Sequence, residues 1–500
     1  MTTLSTLAGN VSTVGNTQTL TNKDLTAASN TFPATGTQGF VASGAISTGD
    51  TVVLNSDGTV SVVVGVAQAV GTAVVFESAN SFYIASTFDS ANNKVVIAYT
   101  DNGNSNYGTA VVGTVSGTSI SFGTPVVFES ATSIWMSATY DANAQKVVIA
   151  YRDGGNSFYG TAIVGTVSGT SISFGTAVVF ESANSQYISA TFDSNSNKVV
   201  IAYQDYGNSQ YGTAIVGTVS GTSISFGTAV VFESAESAYI SAVYDANAQK
   251  VVIAYRDDGN SNYGTAVVGT VSGTSISFGT LVVFNSSTTD YVGIAYDANA
   301  QKTVISYQDG GNSNYGTAIV GTVSGTSISF GTEIIFESSQ SSYVSISYST
   351  VAKKVVISYQ DGGNSDYGTA IVGAVSGTSI SFGTPVVFES AGSNWISSVY
   401  DANAQKVVIA YQDSGNSSYG TAIVFQNEST NAPDFVGLAT QTVTDTDPVD
   451  VTIIGGTNED ITGLTAASLY YVADNGDLTT IVTDTYAGRA LASTKLLVRG

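Results

Sequence analysis

The chain has 500 residues and a net charge of −23, from 37 acidic against 14 basic side chains. Because such a surface repels phosphate groups, we expect no nucleic-acid partner and no binding to anionic membranes. Cysteine and histidine are both absent, which excludes disulfides, zinc–thiolate centres and histidine-based catalysis. The first residues lack the basic and apolar segments of a secretory signal, and no apolar run is long enough for membrane insertion.

The first 65 residues precede the regular part of the chain and fall into two segments. Residues 1–35 are polar, and we predict an extended attachment segment that has no core of its own. Residues 36–65 contain apolar runs on either side of the turn sequence Asn55–Gly58, which predicts a hairpin. We assign residues 36–65 to the first half of a small β domain.

Residues 66–426 repeat a unit of about 52 residues. Its marker is Gly-Thr followed by apolar residues and Phe. The marker begins at Gly71, Gly123, Gly175, Gly227, Gly279, Gly331 and Gly383. Each copy contains four short apolar runs separated by turn residues, which is the pattern of one propeller blade. We therefore predict an all-β protein, with a seven-bladed β-propeller of four strands per blade inserted into the small β domain.

The order of strands at the two ends of the repeats predicts how the propeller closes. The first repeated element, Val66–Glu77, corresponds to a fourth strand, and the last, Gly420–Gln426, corresponds to a third strand. Pairing of these two would complete one blade from both ends of the repeat region and remove exposed sheet edges. This one-plus-three closure resembles that of WD40-type propellers, although their Gly-His and Trp-Asp signatures are absent.

The copies differ mainly at one end of the propeller, which we call the rim. Strand parity places there the loops that follow the second and fourth strands. Aromatic faces beside Asn, Ser and Asp suit a sugar, so we predict ligand-binding candidates in two recurring sets. The aromatic set is Tyr83, Trp135, Tyr187, Tyr239, Tyr291, Tyr343 and Trp395. The acidic set is Asp101, Asp153, Asp205, Asp257, Asp309, Asp361 and Asp413.

Trp135 and Trp395 are the predicted anchors, and the acidic rim favours neutral or cationic sugars over sialylated ones. Three alternatives stay open. The rings fill gaps between blades, the aspartates accept backbone N–H groups in ordinary turns, or the loop differences are neutral drift. We expect no cofactor, with calcium on the rim carboxylates as the alternative.

No enzyme activity is expected from the repeats. They contain only two arginines, Arg152 and Arg256, whereas sialidase propellers use an arginine triad. The paired carboxylates of the rim recur in nearly every copy, which favours a structural role over a single active site.

Residues 427–500 are predicted to form the second half of the small β domain. Short β motifs occur in both halves of this domain. The N-terminal half contains Gly44–Val63, and residues 427–500 contain Gly463–Thr480 and Ala487–Val498. These motifs, with TQTLTNKDLT at Thr17–Thr26, resemble segments of tail-fibre-like structural proteins of bacteriophages and marine viruses.

The resemblance implies a virion structural protein on the tail or capsid surface. Its terminal segments would bind other virion proteins and assemble a homo-oligomer, a trimer. Its propeller would display a rim for a host cell-surface glycan or receptor. Two alternatives stay open: a capsid decoration or fibre-forming protein with a passive propeller, and a bacterial propeller lectin.

Overall fold

A computed structural model describes residues 36–430, 432–473, 475–481, 483 and 485–498. The predicted attachment segment 1–35 lies outside the described residues. The described part of the chain is almost wholly β-structure and divides into two compact units. One is Gln68–Asn427, and the other combines the residues up to Ala67 with those from Glu428 onward. No α-helix in the described residues has the length and hydrophobicity that a membrane crossing requires.

In the larger unit each repeat begins with a strand of 16 residues, which we call the long strand. Its members are Val74–Asp89, Val126–Asp141, Val178–Asp193, Val230–Asp245, Val282–Asp297, Ile334–Ser349 and Val386–Asp401. A tight turn then leads into the second strand, a β-branched apolar run that is buried on both faces. The second strands are Lys94–Asp101, Lys146–Asp153, Lys198–Asp205, Lys250–Asp257, Lys302–Asp309, Lys354–Asp361 and Lys406–Asp413.

A single 3₁₀ turn joins the second strand to the third. These turns are Asn102–Asn104, Gly154–Asn156, Tyr206–Asn208, Asp258–Asn260, Gly310–Asn312, Gly362–Asn364 and Ser414–Asn416. The third strands are Tyr107–Ser116, Tyr159–Ser168, Tyr211–Ser220, Tyr263–Ser272, Tyr315–Ser324, Tyr367–Ser376 and Tyr419–Gln426.

A two-residue turn with a glycine at positive φ, such as Gly117 at 61°, closes a hairpin onto the short strand. The short strands are Ser119–Phe122, Ser171–Phe174, Ser223–Phe226, Ser275–Phe278, Ser327–Phe330 and Ser379–Phe382, with Ala69–Val70 as the N-terminal counterpart.

The long strand belongs to two neighbouring repeats at once. In Val126–Asp141 the first half pairs with the third strand of the preceding repeat, from Val126↔Ala110 to Thr132↔Tyr107. The second half pairs with the second strand of its own repeat, from Ser133↔Asp153 to Asp141↔Lys146. The predicted loop after the fourth strand is therefore wrong. The chain passes from one repeat to the next as continuous strand, with a register shift between Ile134 and Ser137.

The strand order of the larger unit closes on itself. The third strand Tyr419–Gln426 pairs with Ala69–Val70 and with the first half of Val74–Asp89, as far as Tyr419↔Asn80. The predicted closure is confirmed from Ala69 onward, whereas Val66 pairs with Ser429 instead. The fold is thus a β-propeller of repeated four-strand units, as the period and the strand count predicted.

The faces of neighbouring units pack through apolar clusters that repeat around the propeller. In one of them the Phe76 ring lies 5.1 Å from the Tyr99 ring and 5.7 Å from the Phe122 ring, measured between centroids. The Gly-Thr marker has a steric cause. A Cβ atom built on Gly227 would lie 1.8 Å from the Thr274 carbonyl oxygen of the following repeat.

The smaller unit contains two five-stranded sheets. One has the order Thr37–Val41, Pro448–Ile453, Phe435–Ala439, Thr51–Leu54 and Val60–Val62, so two strands of the predicted C-terminal half lie between strands of the N-terminal half. The other has the order Thr457–Asn458, Lys495–Val498, Tyr486–Ala492, Leu469–Val472 and Leu478–Thr479. A two-stranded ribbon pairs Gly65–Val66 with Ser429–Thr430, and a short 3₁₀ turn spans Ala432–Asp434.

Candidate ligand-binding rim

The rim is the end of the propeller that carries the 3₁₀ turns after the second strands. Each of these turns begins at a predicted aspartate of the acidic set. The side chain of Asp153 accepts a hydrogen bond of 2.8 Å from the Gly155 backbone N–H, and that of Asp101 accepts one of 3.1 Å from Asn104. All seven aspartates are between 6% and 8% exposed. They therefore cap turns from inside the blades, as the turn alternative for this set predicts.

A glutamate and a buried tyrosine accompany the aspartate in most repeats. The Tyr203 hydroxyl, which is fully buried, donates a hydrogen bond of 3.0 Å to Glu181. Burial raises the pKa of Glu181, and the negative charge of Asp205 raises it further. Burial likewise raises the pKa of Asp257 to about 6, with a smaller contribution from the charge of Glu233. The carboxyl groups are thus held in a protein interior that disfavours their charged form.

One repeat departs from this arrangement. It has Asn285 where the others have glutamate, and the Asn285 amide donates a hydrogen bond of 3.2 Å to Asp309. No group of three or more carboxylates suited to a metal ion occurs among the described residues. The geometry therefore offers no support for the calcium alternative, since calcium binds six to eight oxygen ligands.

The seven predicted aromatic residues contact one another in a closed circle at the middle of the propeller. Neighbouring ring centroids lie between 4.2 Å, for Tyr83 and Trp395, and 5.4 Å, for Tyr343 and Trp395. We call this arrangement the aromatic circle. Each ring touches two others and is only half-buried. This packing agrees with the gap-filling alternative for the set, and the anchor role of Trp135 and Trp395 stays a prediction.

A bulge in each long strand turns these side chains toward the middle. Every member of the aromatic circle has a positive φ, from 47° at Tyr83 and Tyr187 to 53° at Trp135. Such φ values are unusual for bulky residues, and a bulge at this point re-aims a side chain. The backbone strain occurs at the same position in every repeat, which indicates that the mutual ring contacts compensate for it.

The residue that precedes each capping aspartate lies between neighbouring repeats. The Gln412 amide donates a hydrogen bond of 2.9 Å to the Ser81 carbonyl, and Gln308 donates one of 2.8 Å to the Ser341 carbonyl. Two repeats have arginine here instead of glutamine or threonine. These arginines, Arg152 and Arg256, have contrasting surroundings.

Arg256 is neutralised by two carboxylates. Its Nε atom lies 2.5 Å from Asp258, and its Nη1 atom lies 2.5 Å from Asp290. In the repeat of Arg152 the residues equivalent to Asp258 and Asp290 are Gly154 and Gln186. Within the described residues no carboxylate forms a salt bridge with Arg152, and its buried Nε atom has no hydrogen-bond partner. Burial lowers the pKa of Arg152, and the hydroxyl groups of Tyr83 and Tyr206 offset only part of that effect.

One exposed aromatic side chain is stacked on Arg152, and a second lies on the adjoining repeat. The Phe158 ring is stacked against the guanidinium, with 4.3 Å between its centroid and Cζ, and Phe158 is 42% exposed. Tyr206, which is 41% exposed, begins the 3₁₀ turn of the following repeat, and its hydroxyl opposes in small part the lowering of the Arg152 pKa by burial. Sequence reasoning missed this group. The available signal was an aromatic residue at two rim positions that hold Asn, Gly or Ser in most other repeats.

Comparison with known proteins supports the propeller fold and identifies no family for the chain. No protein-family description matches the chain, and no curated protein matches it. The resemblance of the terminal segments to tail-fibre-like proteins therefore rests on the quoted motifs alone.

Solved structures do resemble the chain. The BP39L lectin from Burkholderia pseudomallei superposes with a TM-score of 0.52 at 9% identity, covering 76% of this chain and 100% of that one. A chain of a mitotic checkpoint complex gives a TM-score of 0.47 at 8% identity, covering 72% of this chain and 95% of that one. AofleA from Arthrobotrys oligospora gives 0.41 at 10% identity, covering 67% and 93%. The first likeness supports the propeller fold alone, and the other two are too distant to carry an argument.

Proposed function

We propose that this chain is a non-enzymatic carbohydrate-binding propeller, a lectin, whose ligand lies on the rim against Phe158 and Tyr206. The observation that carries the proposal is the exposed Phe158 ring stacked on Arg152, with a second exposed aromatic side chain, Tyr206, on the 3₁₀ turn of the following repeat. Flat apolar faces beside hydrogen-bond donors suit the faces and hydroxyl groups of a sugar ring. An aromatic residue with about two fifths of its surface in water is also available to a ligand.

The same structure argues for binding rather than catalysis. The carboxylates of the rim cap turns or accept tyrosine hydroxyl groups inside the blades, as Asp205 and Glu181 do. Most glycoside hydrolases need a pair of carboxylates that face the substrate.

A glycan array probed with the full-length protein tests the proposal. We expect a defined set of bound glycans, and we expect the double variant Phe158→Ala with Tyr206→Ala to lose most of that binding. Each lost aromatic contact should weaken binding about tenfold, which corresponds to about 1.4 kcal/mol. Asn314→Ala is the matched control, because Asn314 occupies the Phe158 position of another repeat. Retention of all binding by a folded double variant contradicts the proposed site.

A virion role is a second candidate, favoured by the tail-fibre-like motifs at Gly44–Val63 and Gly463–Thr480. In that setting we propose that the terminal segments attach the protein to other virion proteins as a trimer. The rim would then present the glycan-binding surface to a host cell. The mass of the purified full-length protein tests the trimer, and a monomer at micromolar concentration contradicts it.

A further inference from the structure

The two arginines of the propeller occupy the same position in different repeats but differ in what neutralises them. Arg256 contacts the carboxylates of Asp258 and Asp290, each at 2.5 Å. Arg152 has Gly154 and Gln186 at those positions. The same position of the repeat thus holds an arginine paired with two carboxylates at Arg256 and an arginine without a carboxylate partner among the described residues at Arg152.

Two carboxylates close to the turn that follows Arg152 are already engaged. Asp153 accepts the Gly155 backbone N–H at 2.8 Å, and Glu129 accepts the Tyr151 hydroxyl at 3.2 Å. The Arg152 Nε atom is buried without a hydrogen-bond partner. Its terminal nitrogens make no hydrogen bond to the described residues and reach the solvent. A half-buried cation without a counter-charge is costly, and the natural way to offset that cost is a bound anion.

We propose that Arg152 binds the anionic group, a carboxylate or a sulfate, of an acidic saccharide whose ring lies against Phe158 and Tyr206. The two solvent-facing nitrogens of a guanidinium match the two oxygens of such a group. This inference rests on the proposed carbohydrate-binding function and names its ligand class. It also reverses, at one repeat, the expectation from net charge that acidic sugars are disfavoured.

The test uses the full-length protein on an array that carries uronate, sialate and sulfated glycans, each beside its uncharged counterpart. We expect the acidic members to be preferred at least tenfold at 50 mM NaCl. The preference should fall at 500 mM NaCl, because salt screens an ion pair at the surface. The carboxylate and sulfate members of the array distinguish the two sources of the anion.

Three variants assign the preference to Arg152. Arg152→Gln removes the charge but keeps a hydrogen-bond donor, and we expect the ratio of acidic to uncharged glycan binding to fall to about one. Gln186→Asp reproduces the position of Asp290 and neutralises Arg152 without removing it, so we expect the same result. Arg256→Gln is the matched control and should leave the preference unchanged. Melting temperatures establish that each variant is folded.

The outcomes separate this inference from the proposed function. Binding of uncharged and acidic members with equal affinity, or a preference that survives both Arg152→Gln and Gln186→Asp, overturns the anion site and leaves the lectin proposal standing. Binding of no glycan at all overturns both.

Discussion

At the scale of single residues, the recurring glycine of the Gly-Thr marker is fixed by the backbone of its neighbour. A Cβ atom on Gly227 would meet the Thr274 carbonyl oxygen at 1.8 Å, and a backbone atom cannot swing aside as a side chain can. In the last copy the same glycine, Gly383, has no atom closer than 3.9 Å. Sterically, position 227 therefore requires glycine, whereas position 383 has room for a Cβ atom.

This contrast gives a matched pair of substitutions. Gly227→Ala should destabilise the propeller by about 3 kcal/mol, the upper range for overpacking, because the neighbouring turn must move. Gly383→Ala should change the free energy of unfolding by less than about 0.5 kcal/mol, as at an open surface site. Thermal or urea unfolding measures both. Equal effects of the two substitutions would show that the close approach at Gly227 is not the cause.

Sequence reasoning at this scale succeeded for roles that depend on a local turn. The Asp-x-Gly-Asn spacing allowed a turn in which Asp accepts backbone N–H groups, and the structure has that turn at Asp153. It could not predict the aromatic circle, since the circle depends on a positive φ at Tyr83 and its equivalents. Nothing in the local sequence marks such a φ for a tyrosine or tryptophan, because it is imposed by the bulge and by the neighbouring rings.

At the scale of elements, the long strand is the part that joins one repeat to the next. Apolar runs such as Lys94–Asp101 were recognisable because both faces are buried. The polar stretch after Glu77 was mistaken for a loop, since strands are recognised by apolar patterning and this segment crosses between sheets at the rim. The backbone of this segment forms hydrogen bonds with strands of two different repeats, and the sequence of one repeat taken alone does not reveal such pairing.

The closing strand can be removed to test its role. Deletion of residues 1–77 takes away Ala69–Val70 and the start of Val74–Asp89, so that Tyr419–Gln426 loses the pairing on one side. We expect a lower melting temperature and self-association, because an unpaired edge strand recruits another chain. Deletion of residues 1–67 is the control, because it removes the same strands of the smaller unit but keeps Ala69–Val70 and Val74–Asp89, and it should change both properties less. A 1–77 deletion that melts like the intact protein and stays monomeric would contradict the closure.

At the scale of the whole molecule, the buried carboxyl groups set how stability depends on pH. Burial raises the pKa of Glu77, Asp101 and Asp205, among others, and raises that of Asp257 to about 6. A carboxyl group with a raised pKa binds its proton more tightly in the folded state than in the unfolded chain. Acidification therefore stabilises the fold between the raised pKa and the ordinary value.

We accordingly predict that the melting temperature rises as the pH is lowered from 8 to about 5. For Asp257 the gain falls between pH about 6 and its ordinary pKa of 3.8. Asp257→Asn keeps a side chain that can cap the turn but cannot titrate, so it should reduce the rise. Differential scanning calorimetry across this range is the measurement. A melting temperature that is flat or falls steadily on acidification would show that burial does not control these groups.

The aromatic circle also determines what the intrinsic fluorescence of the protein reports. The chain contains 2 tryptophans, and both of them, Trp135 and Trp395, stand in the circle. Five tyrosines complete it, within the distance over which an excited tyrosine passes its energy to tryptophan. Tryptophan emission therefore comes from one spot in the molecule, the aromatic circle. It serves as a label-free optical probe of that circle.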